Sequence, residues 1–254
     1  MPSHRLGTPT WDMSSLLAVA MSRKIANSST GTVGEASNLM TPDPDFDLTR
    51  GVGATIRESS QSRRFDRNQF LFHAGEPSGG MYLIVAGFVA VRLSTPSGEL
   101  ATVAVLGTGN CLGEQSLLAE LGHRSTSAVA LGTVDTLFVA RVVFDELRER
   151  DAALERFLTT LLDTRLRRVT DRLVEALYTP APRRVLRRGA ELAQRFGDGN
   201  SIPLTQDDVA SMAGTTRPTV NRTLRQAEAA GTIALTRGSI WVIDAEVLAN
   251  LNET

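Results

Sequence analysis

From Ser62 to Arg141 the chain advances in short apolar stretches broken by glycine, and from residue 142 to 178 it contains no glycine at all. That change of texture divides the molecule. The first region includes QFLFHAGE, GMYLIVAGFVAVRLS, TPSGELATVAVLGTGN and SAVALGTVDTLFVAR. Alternation of residue type, β-branched and aromatic enrichment, and glycine-bearing turns at roughly ten-residue spacing predict antiparallel strands in a small barrel or jelly roll. Thr95-Pro96-Ser97-Gly98 is a natural hairpin turn. In the second region Leu154, Leu158, Leu162, Leu166, Val169, Leu173 and Ala176 recur at three- and four-residue steps. This is helical period, and it predicts one unbroken helix of about 25 residues. Its apolar stripe exceeds what a small barrel can cover, which predicts packing against a second copy.

Thr179-Pro180-Ala181-Pro182 must interrupt that helix, because proline lacks an N–H and biases its predecessor away from the helical region. The expected hinge lies here. A further helix restarts with Pro182 in its first turn and runs through RRVLRRGAELAQRF, with four arginines in its first two turns. Such a run is usually a solvated face, and here it adds to a basic imbalance in the C-terminal module.

The segment LTQDDVASMAGTTRPTVNRTLRQAEAAGTI reads as two helices and a tight turn. Thr205 caps the first, with Asp207 and Asp208 in its opening turn, and Val209, Met212 and Ala213 form its buried face. Ala213-Gly214-Thr215 makes the turn, and Thr216 caps the second helix, whose apolar positions are Val220, Leu224 and Ala227. Its outward positions are Arg217, Thr219, Asn221, Arg222 and Arg225. Side chains of these types at a helix N-terminus suit the major groove, where arginine grips guanine O6 and N7. AAGTIALTRGSIWVID then gives a two-stranded wing with Arg237-Gly238 at its tip, placed for a phosphate contact.

The 254 residues carry a net charge of −1, so attraction to nucleic acid must come from a local patch. Cys111 is the sole cysteine, which excludes an internal disulfide, and no Cys/His spacing suits zinc, haem or an iron–sulfur cluster. No apolar run approaches the roughly 20 residues that span a bilayer, and SSLLAVAM lacks secretory flanks. A cytoplasmic protein without membrane attachment is expected. Residues 1–58, rich in Ser, Thr, Gly and Pro, read as a flexible extension, with Trp11 to Met21 able to form a helical turn or two.

From Arg64 onward the chain resembles the cyclic-AMP receptor protein (CRP/FNR) superfamily of bacterial transcription regulators, through FHAGEPSGGMYLIVAGFVAV, LGTGNCLGEQSLLAELGHRSTSAVA, LRRVTDRL and LTQDDVASMAGTTRPTVNRTL. The resemblance implies an α+β protein. It would comprise a double-stranded β-helix (jelly roll) cyclic-nucleotide domain over 59–145, a dimerisation helix over 146–179, and a winged helix-turn-helix over 180–254.

The family's phosphate-binding cassette falls on Gly113, Glu114, Arg124 and Ser125. A buried phosphate needs a guanidinium, a hydroxyl and backbone N–H groups, here near Gln115 and Ser116. Glu114 would accept from the ribose 2′-OH, and Arg165 matches the helix arginine that partners this glutamate. The rival reading of Glu114 and Arg124 is a salt bridge that merely closes the pocket. The two residues that reach the base in cyclic-AMP-responsive relatives align with Val169 and Thr170, and only Thr170 can hydrogen-bond adenine. Gln115 stands where an apolar residue is common. In the recognition helix Arg217 and Arg222 match base-reading arginines, while Pro218 replaces an acidic residue that accepts from cytosine. The DNA surface is expected to comprise Thr205, Gln206, Thr216, Arg217, Thr219, Asn221, Arg222 and Arg237.

The implied protein is a homodimer that binds pseudo-palindromic double-stranded DNA, works with RNA polymerase and takes cyclic AMP as allosteric effector. An alternative keeps the DNA-binding function but replaces nucleotide sensing by thiol chemistry at Cys111, or by no effector. An enzyme is not expected: His73 and His123 accompany no evident nucleophile.

Overall fold

The computed structural model describes residues 51–95, 98–118, 122–196, 201–236 and 239–243. Expectations for residues 1–50, for Pro96 and Ser97 in the hairpin turn, and for Arg237 lie outside them. Strands β1 (Gln61–Phe65), β3 (Gly80–Ala86), β6 (Cys111–Leu112) and β8 (Val134–Ala140) form one antiparallel sheet in the order β1-β8-β3-β6. Strands β2 (Phe70–Phe72), β4 (Val89–Ser94), β5 (Leu100–Leu106) and β7 (Ser127–Ala130) form the other, in the order β2-β7-β4-β5.

Strand alternation decides what each face meets. Tyr82 and Ile84 from one sheet join Val89, Leu106, Ala128 and Ala130 from the other in a shared core. Their neighbours Met81, Leu83 and Val139 point to the opposite face. There they are covered by Ile56 of α1 (Gly51–Ser59) and by Phe144 and Leu147 of α3 (Arg141–Arg150), α2 being the short turn Gln115–Leu118. The end of the stretch expected to be an extension is therefore helical, and its Ile56 is fully buried.

The expected helix of about 25 residues is present as 27 unbroken residues, and a separate helix precedes it. Asp151 is extended (φ −133°, ψ 104°), ends α3, and accepts a hydrogen bond from Ala153 N at 2.8 Å as N-cap of α4 (Ala152–Tyr178). A polar cap at this corner lets Leu154, Leu158 and Leu161 fold back onto the sheet. Beyond them the stripe is uncovered: Leu166 is 66% exposed, Leu173 59% and Leu177 67%.

Thr179 and Pro180 separate α4 from α5 (Ala181–Phe196). Three of the arginines in the first turns of α5, Arg184, Arg187 and Arg188, serve the hinge, while Arg183 is exposed. Arg184 donates to Thr179 O (2.6 Å), Ala213 O (2.7 Å) and Gly214 O (2.8 Å), joining the hinge to the turn of the helical hairpin. Buried Arg188 pairs with Glu175 across the hinge and with Glu191 in its own helix. Helices α6 (Gln206–Ala213) and α7 (Arg217–Ala229) follow, then the hairpin of β10 (Ile233–Thr236) and β11 (Ser239–Val242). A third strand, β9 (Ser201–Ile202), pairs with β11 and was not apparent from the sequence.

This C-terminal module is docked on the outer face of the second sheet. Ala90, Val105, Val129 and Leu131 share one core with Leu192, Val209 and Leu224. Phe88 and Phe196 meet at 4.1 Å between ring centres, and Arg195 donates to Val105 O at 2.7 Å.

Candidate ligand pocket and DNA-reading surface

A cavity of about 430 Å³ lies between the second sheet, the α2 turn and α4, a size proper to small-molecule sites. Phe72, Val91, Val103, Leu106 and Leu112 give it apolar walls. Gly113, Glu114, Gln115, Ser116, Arg124 and Ser125 form its polar end, so the predicted cassette residues converge.

Arg124 is buried and its guanidinium is held in place. It donates to Gly113 O (2.8 Å), to Ser116 Oγ (2.9 Å) and to Gly80 O, and lies 4.3 Å over the Phe72 ring. Burial pulls its pKa down, and the negative groups of Glu114 and Glu76 act against that pull, as does Tyr82. The Ser116 hydroxyl bonds Gly113 O (2.8 Å) and shares a hydrogen bond with Ser78 Oγ (2.9 Å). Gly113 has φ +86°, and a Cβ there would run into the Arg124 guanidinium. Glycine is thus required both by the backbone and by the cation beside it.

Glu114 is fully buried and pairs with Arg165, whose Nη2 also donates to Cys111 O at 2.7 Å. The sequence-matched partnership between Glu114 and Arg165 is formed. Arg124 and Arg165 therefore bracket an acidic group in a cavity otherwise rich in donors, an arrangement that suits an anion beside a hydroxyl. The Cys111 side chain is 1% exposed, packed with Met81 and Leu83, and behaves as a small core group.

Thr170 lies outside the wall that this one chain gives the cavity. Its hydroxyl donates to Leu166 O at 3.0 Å, and its side chain is exposed. Helical periodicity brings Arg165, Arg168, Val169 and Arg172 to that wall. Arg168 and Arg172 were missed, although their steps of three and seven residues from Arg165 signalled a common face.

In the helical hairpin Thr205 closes a capping box: its hydroxyl accepts from Asp208 N (3.1 Å), and Asp208 Oδ2 accepts from Thr205 N (2.9 Å). The Thr205 hydroxyl is engaged inside the protein, where a DNA contact was expected. Gly214 turns the chain in the left-handed region, φ 59° and ψ 47°. Thr216 occupies the N-cap of α7, but its hydroxyl meets Thr219 Oγ1 (3.1 Å) and not a backbone N–H. Arg217, Pro218, Asn221 and Arg222 are exposed on α7. Arg217 is oriented by Asp207 (3.1 Å), and Asn221 donates to Gln206 Oε1 (3.1 Å). Among the described residues no cluster of His, Cys, Asp or Glu could hold a metal ion, and no helix is long and apolar enough to cross a membrane.

A pocketed jelly roll joined by a long helix to a winged helix-turn-helix defines a transcription regulator that carries an effector domain and a DNA-binding domain in one chain. Residues 62–151 match the cyclic nucleotide-binding domain family, and residues 167–251 match the Crp-like helix-turn-helix domain. The chain is 32% identical over 206 residues to the CRP-like cAMP-activated global transcriptional regulator of Mycobacterium tuberculosis, covering 77% of this chain and 90% of that one. It is 31% identical over 191 residues to the cyclic AMP receptor protein of Thermus thermophilus, covering 75% and 88%. The solved structure of FixK2 from Bradyrhizobium japonicum has the same fold, with a TM-score of 0.65 at 20% identity and coverage of 77% and 98%. The protein belongs to the CRP/FNR superfamily of transcription regulators.

Proposed function

We propose that the protein acts as a cytoplasmic homodimer that reads a pseudo-palindromic DNA site and is modulated by cyclic AMP in the jelly roll, with RNA polymerase as its onward partner. The supporting observation is the convergence of Gly113, Glu114, Ser116 and Arg124 in one cavity whose far wall is α4. Arg124 and Ser125 would hold the cyclic phosphate, and the Glu114 carboxylate, positioned by Arg165, would accept from the ribose 2′-OH. The relatives named as cAMP-activated support this choice of effector.

Two copies would meet through the exposed stripe of α4, placing two α7 helices for half-sites about 34 Å apart. Arg217 and Arg222 would read bases, with Thr219, Asn221 and Gln206 supporting them and Arg237 reaching phosphate from the wing. A ligand shifts such a dimer only by its difference in affinity for the two arrangements. Calorimetry with cyclic AMP and with its 2′-deoxy analogue tests the pocket. Binding of the first with at least tenfold weaker binding of the second is expected, and no heat with either contradicts the assignment.

A further inference from the structure

The first turn of α6 carries two adjacent aspartates that face in different directions, because successive helix positions point about 100° apart. Asp208 turns inward, where it accepts from Thr205 N and from Thr102 Oγ1 of the jelly roll. Asp207 turns outward. Its Oδ2 lies 3.1 Å from Arg217 Nη1, and both side chains are exposed. Beside it, Gln206 Oε1 accepts from Asn221 at 3.1 Å. Two neighbouring positions of α6 thus hold two of the outward side chains at the N-terminal end of α7.

A surface that docks on DNA loses attraction to phosphate with each carboxylate it displays. The carboxylates of α6 and α7 are Asp207, Asp208 and Glu228. Asp208 is buried, and Glu228 stands at the far end of α7, paired with Arg225 (2.8 Å) and accepting from Leu235 N (3.0 Å). Asp207 alone of the three faces the reading end. An exposed pair of this kind adds little to stability, so its effect falls on Arg217 itself. The guanidinium is a rigid fork of five donors. With Nη1 held by Asp207, Nε and Nη2 keep the geometry that grips guanine O6 and N7. A side chain oriented in advance also loses less freedom when it meets the base. Pro218, beside Arg217, has no side-chain acceptor that could take this part.

We propose that Asp207 is a positioning residue for sequence reading: it orients Arg217 toward guanine and, through its charge, weakens binding to every other DNA. The proposal rests on the reading of Arg217 as a base-reading residue. Repulsion of phosphate acts on any duplex, whereas an oriented Arg217 rewards only the duplex that places guanine opposite it. Asp207 therefore gives up overall affinity and gains discrimination.

The test is fluorescence anisotropy on the full chain with two duplexes. One is the palindrome recovered by selection from random DNA, and the other replaces by A·T the G·C pair of each half-site that Arg217→Ala ceases to select. Wild type should prefer the first by at least tenfold. In Asp207→Asn that preference should fall about fivefold, while affinity for the altered duplex rises about twofold. In an Arg217→Ala background the same substitution should raise affinity for both duplexes equally. Asp207 is exposed and takes no part in the capping box, so the variant should fold, and Asp207→Ala gives a second reading. Preference and affinity for the altered duplex must move in opposite directions; if both rise, both fall, or the preference stays unchanged, the proposal is overturned while Arg217 keeps its base-reading role. A preference that survives Arg217→Ala overturns the proposal together with the base-reading assignment.

Discussion

Thr102 Oγ1 donates to Asp208 Oδ1 at 2.5 Å, a bond between the jelly roll and the first helix of the DNA-binding hairpin across 106 residues of sequence. Arg92 reaches the same oxygen at 3.3 Å. Arg92 and Thr102 face each other in the β4–β5 register, and their neighbours Val91 and Val103 line the cavity. One pair of strands thus forms a wall of the pocket and the seat of the DNA-binding module. Thr102→Val keeps the shape and removes the donor. It should cost about 1–3 kcal/mol in denaturant titration and bring the ratio of DNA affinities with and without nucleotide closer to one.

The same carboxylate sets an acid limit. Burial alone would raise the Asp208 pKa, but hydrogen bonds from Thr102 and Thr205, with the Arg92 charge, outweigh it and hold the group below its ordinary value of 3.8. A depressed folded pKa means that the stabilisation is present above the unfolded value and is lost as pH falls through the folded value. The interdomain bond should therefore persist at neutral pH and fail only below about pH 4. In Thr102→Val the acid unfolding midpoint, followed by tryptophan fluorescence, should move to higher pH.

Gly113→Ala tests the cassette without deleting a polar group. The new Cβ must displace the Arg124 guanidinium, and the φ of +86° penalises any side chain. Nucleotide affinity measured by calorimetry should fall at least tenfold, whereas DNA affinity without nucleotide should change little.

Leu166→Glu and Leu173→Glu place charges on exposed parts of α4, so the protomer fold should survive. Sedimentation velocity should show monomers, with binding to a palindromic site weakened at least a hundredfold and binding to a half-site retained.

Arg217→Ala should abolish sequence preference and leave a salt-sensitive nonspecific affinity. Selection from random DNA should recover a guanine read by Arg217 in wild type and a relaxed neighbouring position, because Pro218 has no side-chain acceptor. Equal losses on all sequences would contradict a base-reading role.

The jelly roll, the long helix and the helical hairpin were legible because each has its own period: two in the strands, and three to four in α4 and α7. The break at Asp151 was hidden, since Leu147 and Leu154, seven residues apart, keep helical spacing across it and only a cap marks the start of α4. The cassette was readable as a motif, and the Arg165–Glu114 pair followed from it. The arginines of α5 looked like a surface run, because sequence cannot show that Glu175, on the preceding helix, lies opposite Arg188. Thr170 illustrates the same limit: adjacent helix positions face about 100° apart, and a motif match does not say which one turns into the cavity of its own chain.

The central claim, that the pocket and the DNA-reading helices are coupled, is tested most directly by fluorescence anisotropy on a selected palindromic duplex, with and without saturating cyclic nucleotide, for wild type and Gly113→Ala. The account predicts a nucleotide-dependent change in DNA affinity of at least fivefold in wild type that disappears in the variant. An unchanged DNA affinity in wild type, at nucleotide concentrations that calorimetry shows to be saturating, would contradict it.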